Sequence, residues 1–228
     1  MPTIYLIPTP IGQGIDQINP QTNGILENID YLVVENLRSA RRFIATLKLV
    51  KKIDDFTFQE LNEHTPPEDI QMILQPIIDG KNGAIISEAG LPCVADPGAP
   101  LVALAHQYNI KIKPLVGPNS IMLALMASGA SGQSFAFNGY IPIKELDRNK
   151  TIKNLETKAK FQTQILIETP YRNNSLLKSL SNILQPNTFV TVALGLCTEH
   201  ESIVRKTAQK WKTSQTELPK EPAVFIIG

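Results

Sequence analysis

Ile85-Ile86-Ser87-Glu88-Ala89-Gly90-Leu91-Pro92-Cys93-Val94-Ala95-Asp96-Pro97 is an apolar run that breaks into glycine, proline and small residues, with a helical pattern following at Pro100 to Tyr108. A strand that feeds a turn-rich loop and then a helix is the unit by which α/β proteins hold ligands at the carboxyl ends of their strands. A second such unit starts at Ile110 to Leu115 and runs through Val116-Gly117-Pro118-Asn119-Ser120 into the apolar stretch Ile121 to Met126. Two such loops in one chain point to one shared cleft.

Outward from these loops the same alternation continues. In the first half, strand patterns stand at Thr3 to Ile7, Tyr31 to Val34, Ile53 to Thr57, Gly83 to Ser87 and Ile110 to Leu115. Helical patterns at Ser39 to Leu47, Asp69 to Asp79 and Pro100 to Tyr108 are long enough for right-handed crossovers, which predicts a parallel sheet of about five strands. Pro118 suits the first turn of a helix, and Asn119 or Ser120 can cap it. The small, turn-forming Ser128-Gly129-Ala130-Ser131-Gly132 follows, so the domain junction falls around residues 115 to 133, giving domains 1–117 and 118–228. The second half offers strands at Ser134 to Phe137, Gln164 to Glu168, Phe189 to Leu194, Ser202 to Lys206 and Ala223 to Ile227, with helices at Lys150 to Lys160, Asn173 to Leu184 and Thr207 to Lys212. No repeat or low-complexity tract interrupts the order.

Composition limits what this chain can do. Its 228 residues, 43% hydrophobic and 19% charged, can bury one sizeable core or two small ones. The net charge of +1, from 22 basic and 21 acidic residues, leaves no global field for nucleic acid or an anionic membrane, so a polyanion must be met by local patches. Such patches gather at Arg38, Arg41, Arg42, Lys48, Lys51 and Lys52, and again from Lys144 through Arg148 to Lys160. Cys93 and Cys197 are far apart and make no disulfide framework, and a reducing compartment is expected. His64, His106 and His200 lack ligand spacing, so no metal is expected. The first residues lack the features of a signal peptide, and no apolar run approaches the ~20 residues needed to cross a bilayer. A soluble cytoplasmic protein is expected, with no membrane partner.

Several segments carry chemistry. In Gly90-Leu91-Pro92-Cys93-Val94, glycine permits close backbone approach to a ligand, proline fixes the turn, and Leu91 and Val94 supply apolar walls; an ordinary strand-to-helix connection has the same wording. Pro8-Thr9-Pro10-Ile11-Gly12-Gln13-Gly14 lacks the G-x-G-x-x-G spacing of a dinucleotide fingerprint, and its prolines remove amides that a pyrophosphate would use. Glu168-Thr169-Pro170-Tyr171-Arg172 follows an apolar strand, so its charged pair either faces a ligand or forms an internal ion pair. Glu35, Glu60, Glu88 and Glu168 are the acidic candidates for proton removal.

The motifs Leu6-Ile7-Pro8-Thr9-Pro10-Ile11-Gly12, Ser87-Glu88-Ala89-Gly90-Leu91-Pro92 with Asp96-Pro97-Gly98, Gly117-Pro118-Asn119-Ser120, Gly139-Tyr140-Ile141-Pro142 and Glu168-Thr169-Pro170-Tyr171-Arg172 together resemble the tetrapyrrole methylase superfamily. Their order and wording are similar to its ribosomal RNA small subunit methyltransferase I branch. The resemblance implies a homodimeric two-domain α/β enzyme with a mostly parallel N-terminal sheet, a mixed C-terminal sheet and an S-adenosylmethionine cleft between them. It implies methyl transfer to a ribose 2′-hydroxyl of small-subunit rRNA, with rRNA or the small ribosomal subunit as partner.

It further implies cofactor contacts from Pro10, Ile11, Gly90, Leu91, Val94, Ser120, Ile121, Glu168, Leu196 and Pro222. Glu88 and Glu60 are the expected catalytic carboxylates because of their motifs, and Arg38, Lys144 and Arg172 the expected substrate contacts. The chain departs from the branch pattern at Glu88, where Asp is usual, at Asn36-Leu37-Arg38-Ser39-Ala40, where Asp-Thr-Arg-x-Thr is usual, and at Gln59 and Leu61, where histidines are usual. These departures keep two alternatives open: a methyltransferase acting on a tetrapyrrole or other small molecule, and a catalytically silent RNA-binding relative.

Overall fold

Short, mostly apolar runs buried on both sides build the centre of the first sheet, and the more exposed Thr57–Glu60 and Lys111–Pro114 form its edges. In the computed structural model, which describes residues 1–214 and 216–228, Thr3–Ile7 (β1), Tyr31–Val34 (β2), Thr57–Glu60 (β3), Gly83–Ile86 (β4) and Lys111–Pro114 (β5) pair in the order β3-β2-β4-β1-β5. Every pairing is parallel, with Ile7 opposite Ile86 and Val34 opposite both Ile86 and Glu60. Side chains alternate across a strand, so each strand feeds both faces. Leu32, Val34, Ala84 and Ile86 pack with Leu26 of helix α1 (Gln21–Glu27) and with Phe43 and Ile44 of α2 (Leu37–Thr46). On the other face Tyr31, Val33 and Ile85 pack with Ile73, Leu74 and Ile77 of α3 (Asp69–Ile78) and Leu101 of α4 (Ala99–Gln107). Tyr31 keeps its hydroxyl satisfied within this layer by donating to the Ile73 carbonyl at 2.6 Å, and burial pushes its pKa up to about 12.

Parallel pairing puts all five carboxyl ends on one rim. The residues that follow the strands, Pro8, Glu35, Leu61, Ser87 and Leu115, therefore start the loops of that rim, which is where open α/β sheets bind ligands.

The chain divides into two compact units, Met1–Asn119 and Ser120–Gly228. The second holds Phe135–Phe137 (β6), Thr163–Glu168 (β7), Phe189–Leu194 (β8), Ser202–Thr207 (β9) and Ala223–Ile227 (β10) in the order β6-β7-β10-β8-β9. The β6–β7 pair is parallel and the remaining pairs antiparallel, so the sheet is mixed. One face packs Ile165, Ala193, Val224 and Ile226 against Ile121, Ala124 and Leu125 of α5 (Ser120–Ser128). The other packs Leu166, Val192 and Phe225 against α6 (Glu145–Ala159), α7 (Asn173–Ile183) and α8 (Ala208–Ser214) through Ile152, Leu177, Leu180 and Trp211. Among the described residues no helix is long and apolar enough to cross a membrane.

Several elements differ from the sequence reading, among them α6, which begins at Glu145 rather than at Lys150. The strand expected at Ile53 to Thr57 begins at Thr57 instead, and Ile53–Asp55 is a turn of 3₁₀ helix. Asp55 closes that turn, its carboxylate accepting the Lys52 amide at 3.0 Å while its own amide donates to the Lys52 carbonyl. The helix Gln21–Glu27 carries Gly24 and three polar residues in its first turn, a composition with little helical signal, and buries only Thr22 and Leu26.

Candidate active site

Three rim loops of the first unit are laced together. After β1, Thr9 forms an isolated antiparallel bridge with Gly90 of the loop after β4; Thr9 N–H donates to the Gly90 carbonyl at 3.0 Å and Gly90 N–H returns the bond at 3.1 Å. Ser87 Oγ donates to the same carbonyl at 2.6 Å and lies 3.3 Å from Thr9 Oγ1. The loop after β5 enters at Gly117, where a Cβ would stand 2.3 Å from Pro8 Cβ and 3.7 Å from Leu91 Cδ2. Gly90 has φ +80°, and a Cβ there would sit 3.3 Å from the Pro118 carbonyl and 3.4 Å from Ile11 Cγ2. Both positions need glycine, the first for close approach and the second also for its left-handed backbone.

Side chains fix the remaining backbone. The Gln17 amide clamps Ile11, accepting from its N–H at 3.0 Å and donating to its carbonyl at 2.9 Å. Asp96 Oδ1 accepts from the amides of Cys93 at 3.0 Å and Gly98 at 2.9 Å. That bond pair holds a loop in which Cys93 (φ 66°) and Ala95 (φ 56°) are both left-handed without being glycine, a conformation kept only where surroundings over-determine it. Between them Val94 is 42% exposed. Burial, reinforced by Asp96, pushes the Cys93 thiol up to about 12, so it is no thiolate nucleophile at neutral pH.

Carboxylates gather beside these loops because β3, β2 and β4 are neighbours. Asn36 caps α2, its Oδ1 accepting the amides of Arg38 at 2.9 Å and Ser39 at 3.1 Å. Glu60, ending β3, accepts the Leu37 amide at 3.0 Å, and Glu88, after β4, accepts the Ser39 hydroxyl at 2.7 Å. The first turn of α2 thus ties both predicted catalytic carboxylates to one place, with Arg38 exposed on the same turn.

Glu35, directly after β2, is half-buried. Desolvation pushes its pKa up to about 7, and the charges of Asp96, Glu88 and Glu63 add to the rise. Sequence reasoning named Glu35 without ranking it and missed Glu63 and Asp96. What singles out Glu35 is its place at the strand end between those of Glu60 and Glu88, which only the strand order shows.

The loops Pro8–Gly14, Ser87–Gly98 and Leu115–Pro118 contain no lysine or arginine. A rim of carboxylates, carbonyls and apolar side chains suits a ligand that bears positive charge and no phosphate. Pro10, Ile11, Gly90, Leu91 and Val94 all lie on these loops. A separate groove of about 610 Å³ runs between α3 and α4, lined in part by Leu61, Ile70, Pro97 and Leu104, and holds none of the expected site residues.

In the second unit, strand register gathers another set. Ala223 pairs with both Glu168 and Leu194, and the Pro222 carbonyl accepts the Gly195 amide at 2.9 Å, so Glu168, Pro222 and Leu196 approach one end of the sheet. Leu196 shares a buried cluster with Ile121, which follows Ser120 at the start of α5. Glu168 is spent largely within the chain. It accepts Arg172 Nε at 2.9 Å and Nη2 at 2.7 and 2.8 Å, plus the Thr169 amide at 2.7 Å. The internal ion pair is present, so a ligand contact by Glu168 or Arg172 would come from a side chain already held in that pair. Lys144 is exposed at the N-cap of α6.

Comparison with known proteins agrees with this architecture. The sequence model of the tetrapyrrole (corrin/porphyrin) methylases matches residues 3–211. The chain is 32% identical over 202 residues to the ribosomal RNA small subunit methyltransferase I of Vibrio cholerae, covering 89% of this chain and 67% of that protein. It is 29% identical over 229 residues to the protein of that name from Synechocystis, covering 100% and 79%. Among solved structures, the methyltransferase CobJ superposes with a TM-score of 0.63 at 16% identity, covering 99% of this chain and 92% of that one. A cobalt precorrin-4 methyltransferase gives 0.63 at 18% identity, covering 99% and 94%. With a family model spanning nearly the whole chain, on two sheets ordered as found here, the chain belongs to the tetrapyrrole (corrin/porphyrin) methylase family.

Proposed function

We propose that this enzyme transfers a methyl group from S-adenosylmethionine to a ribose 2′-hydroxyl of small-subunit rRNA. The observation that carries the donor assignment is the set of three interlocked loops in the first unit, which hold Glu88 and Asp96 and no lysine or arginine, with Glu35, Glu60 and Glu63 at neighbouring strand ends. The relatives named above support the RNA acceptor.

S-adenosylmethionine, when bound, supplies an electrophilic methyl on a positively charged sulfur and carries no phosphate, which fits that donor set. Pro10, Ile11, Gly90, Leu91 and Val94 would hold it in the first unit. Ser120, Ile121, Glu168, Leu196 and Pro222 are proposed as further contacts on the strength of family membership. The rigid loops would orient the reactants, and such alignment can supply a large part of the barrier lowering in a direct displacement. A ribose hydroxyl is a weak acid, so its proton needs a receiver as the new bond forms. We assign that role to Glu35, which lies among the other carboxylates at the strand ends. Glu88 accepts the Ser39 hydroxyl beside it, and Glu60 anchors α2. Arg38, Lys144 and Arg172 are the proposed RNA contacts, and the enzyme is read as a cytoplasmic homodimer.

The test is incubation of the protein and methyl-labelled S-adenosylmethionine with unmethylated small ribosomal subunits, free rRNA and tetrapyrrole precursors. Label that is sensitive to ribonuclease and maps to a 2′-O-methyl nucleotide is the expected result. Label in a tetrapyrrole, as the family's name and the superposed cobalt precorrin enzyme would suggest, or no transfer to any RNA, would overturn the acceptor.

A further inference from the structure

Positive charge is unevenly spread along this nearly neutral chain. Residues 144–183 carry eight Lys and Arg against four Asp and Glu, while the whole chain has 22 against 21. That segment, which spans α6, α7 and the residues joining them, is thus one of the basic stretches of the chain, and α7 itself contains no carboxylate.

Between α6 and α7 runs a groove of about 370 Å³ lined by Arg148, Asn149, Ser175, Lys178 and Asn182 among others, with Glu145 its single acid. Arg148 and Ser175 also line a small adjoining pocket with Ile143 and Arg172, so the surface is continuous. The Arg148 guanidinium is incompletely used. One Nη donates to the Ile143 carbonyl at 3.3 Å, and its Nε is enclosed without an acceptor. Arg172 is tied to Glu168 and serves the groove as a fixed wall.

Adjacent in sequence to residues of these two surfaces, or within the smaller pocket, are side chains that water does not favour. Tyr171 is 75% exposed next to Arg172, Ile143 71% exposed in the adjoining pocket and Leu146 85% exposed on the first turn of α6. Cations that track a backbone, amide and hydroxyl groups that bond phosphate or sugar oxygens, and an exposed ring on which a base stacks are the parts of a single-strand track.

We propose that the groove between α6 and α7 binds single-stranded RNA, with Arg148 and Lys178 on phosphates and Tyr171 under a base. This rests on the rRNA reading above and adds a second, chemistry-free RNA contact to it. The groove's hydrogen-bonding wall and its cations favour a polyanion over an apolar protein segment.

The experiment uses the full chain and a fluorescein-labelled single-stranded RNA 20-mer, with anisotropy read from about 50 to 200 mM salt. Lys178→Glu and Tyr171→Ala change exposed side chains, so they spare the core. Combined, they are expected to weaken RNA binding at least tenfold at low salt. Lys178→Gln alone should reduce the slope of log affinity against log salt by about one. Melting temperature and S-adenosylmethionine affinity should match the wild type. Unchanged affinity and slope would overturn the proposal. So would weakened binding to whole small subunits with unchanged RNA 20-mer binding, which would make the groove a dock for a ribosomal protein. A wild type that binds the 20-mer through the groove yet methylates no RNA would fail the methyl-transfer reading alone, and one that methylates rRNA with the groove variants unimpaired would fail the groove alone.

Discussion

Glu35 concentrates the electrostatics of the site in one side chain. An ordinary glutamate of pKa 4.5 is pushed up to about 7 here, first by burial and then by Asp96, Glu88 and Glu63. Between those two values the unfolded chain has lost a proton that the folded chain retains, so stability falls as pH rises through this window, and the loss is complete above about 7. Glu35→Gln should flatten that decline. In urea titrations the variant should match the wild type near pH 4 and exceed it at pH 8, whereas parallel profiles would show Glu35 titrating normally. The same variant should bind S-adenosylmethionine and fail to transfer methyl, because an amide cannot receive the proton. Gly117 gives a second test at this scale. Gly117→Ala places a methyl 2.3 Å from Pro8 Cβ, and thermal melting should show a loss of about 1–3 kcal/mol from the strain of parting the two loops.

Strands were legible from sequence whether buried, as β2 and β10, or more exposed, as β5, β6 and β9, and the edge strand β3 was the exception. β1, β2, β8 and β10 begin and end with runs that are mostly apolar, because strands covered on both faces hold few polar residues, Thr3 and Thr191 being buried exceptions. β3 is an edge strand of Thr57-Phe58-Gln59-Glu60, with both ends exposed, so the apolar Ile53 before it drew the expected strand too early. Gly and Pro punctuation gave away the rim loops, since few other residues fit their backbone. The meeting of Glu35, Glu60 and Glu88 was not readable, because it depends on β2 lying between β3 and β4, a pairing that no local pattern encodes. α2 makes this dependence measurable. Its cap Asn36 organises the turn that holds Glu60 and Glu88, so Asn36→Ala should cost about 1 kcal/mol in stability by chemical denaturation. It should also lower methyl transfer more than that stability loss explains, and activity unaffected by the variant would separate the turn from the site.

Across the whole molecule, the chain keeps the fold of the two superposed methyltransferases while sharing only 16–18% identity with them. Hydrophobic pattern and turn chemistry specify such a plan with wide latitude in sequence. What the plan places is a rim where loops after β1, β4 and β5 interlock through Thr9, Gly90 and Gly117. Leu91 sits within that lacing and is only partly buried, so a charge there can point to solvent without unfolding the sheet. The most direct measurement is calorimetric titration of S-adenosylmethionine into the wild type and into Leu91→Arg, with melting curves recorded for both. The account predicts saturable binding by the wild type and at least a tenfold loss in a variant that melts at the same temperature. Equal affinity in the two proteins, or no heat of association in either, would contradict it.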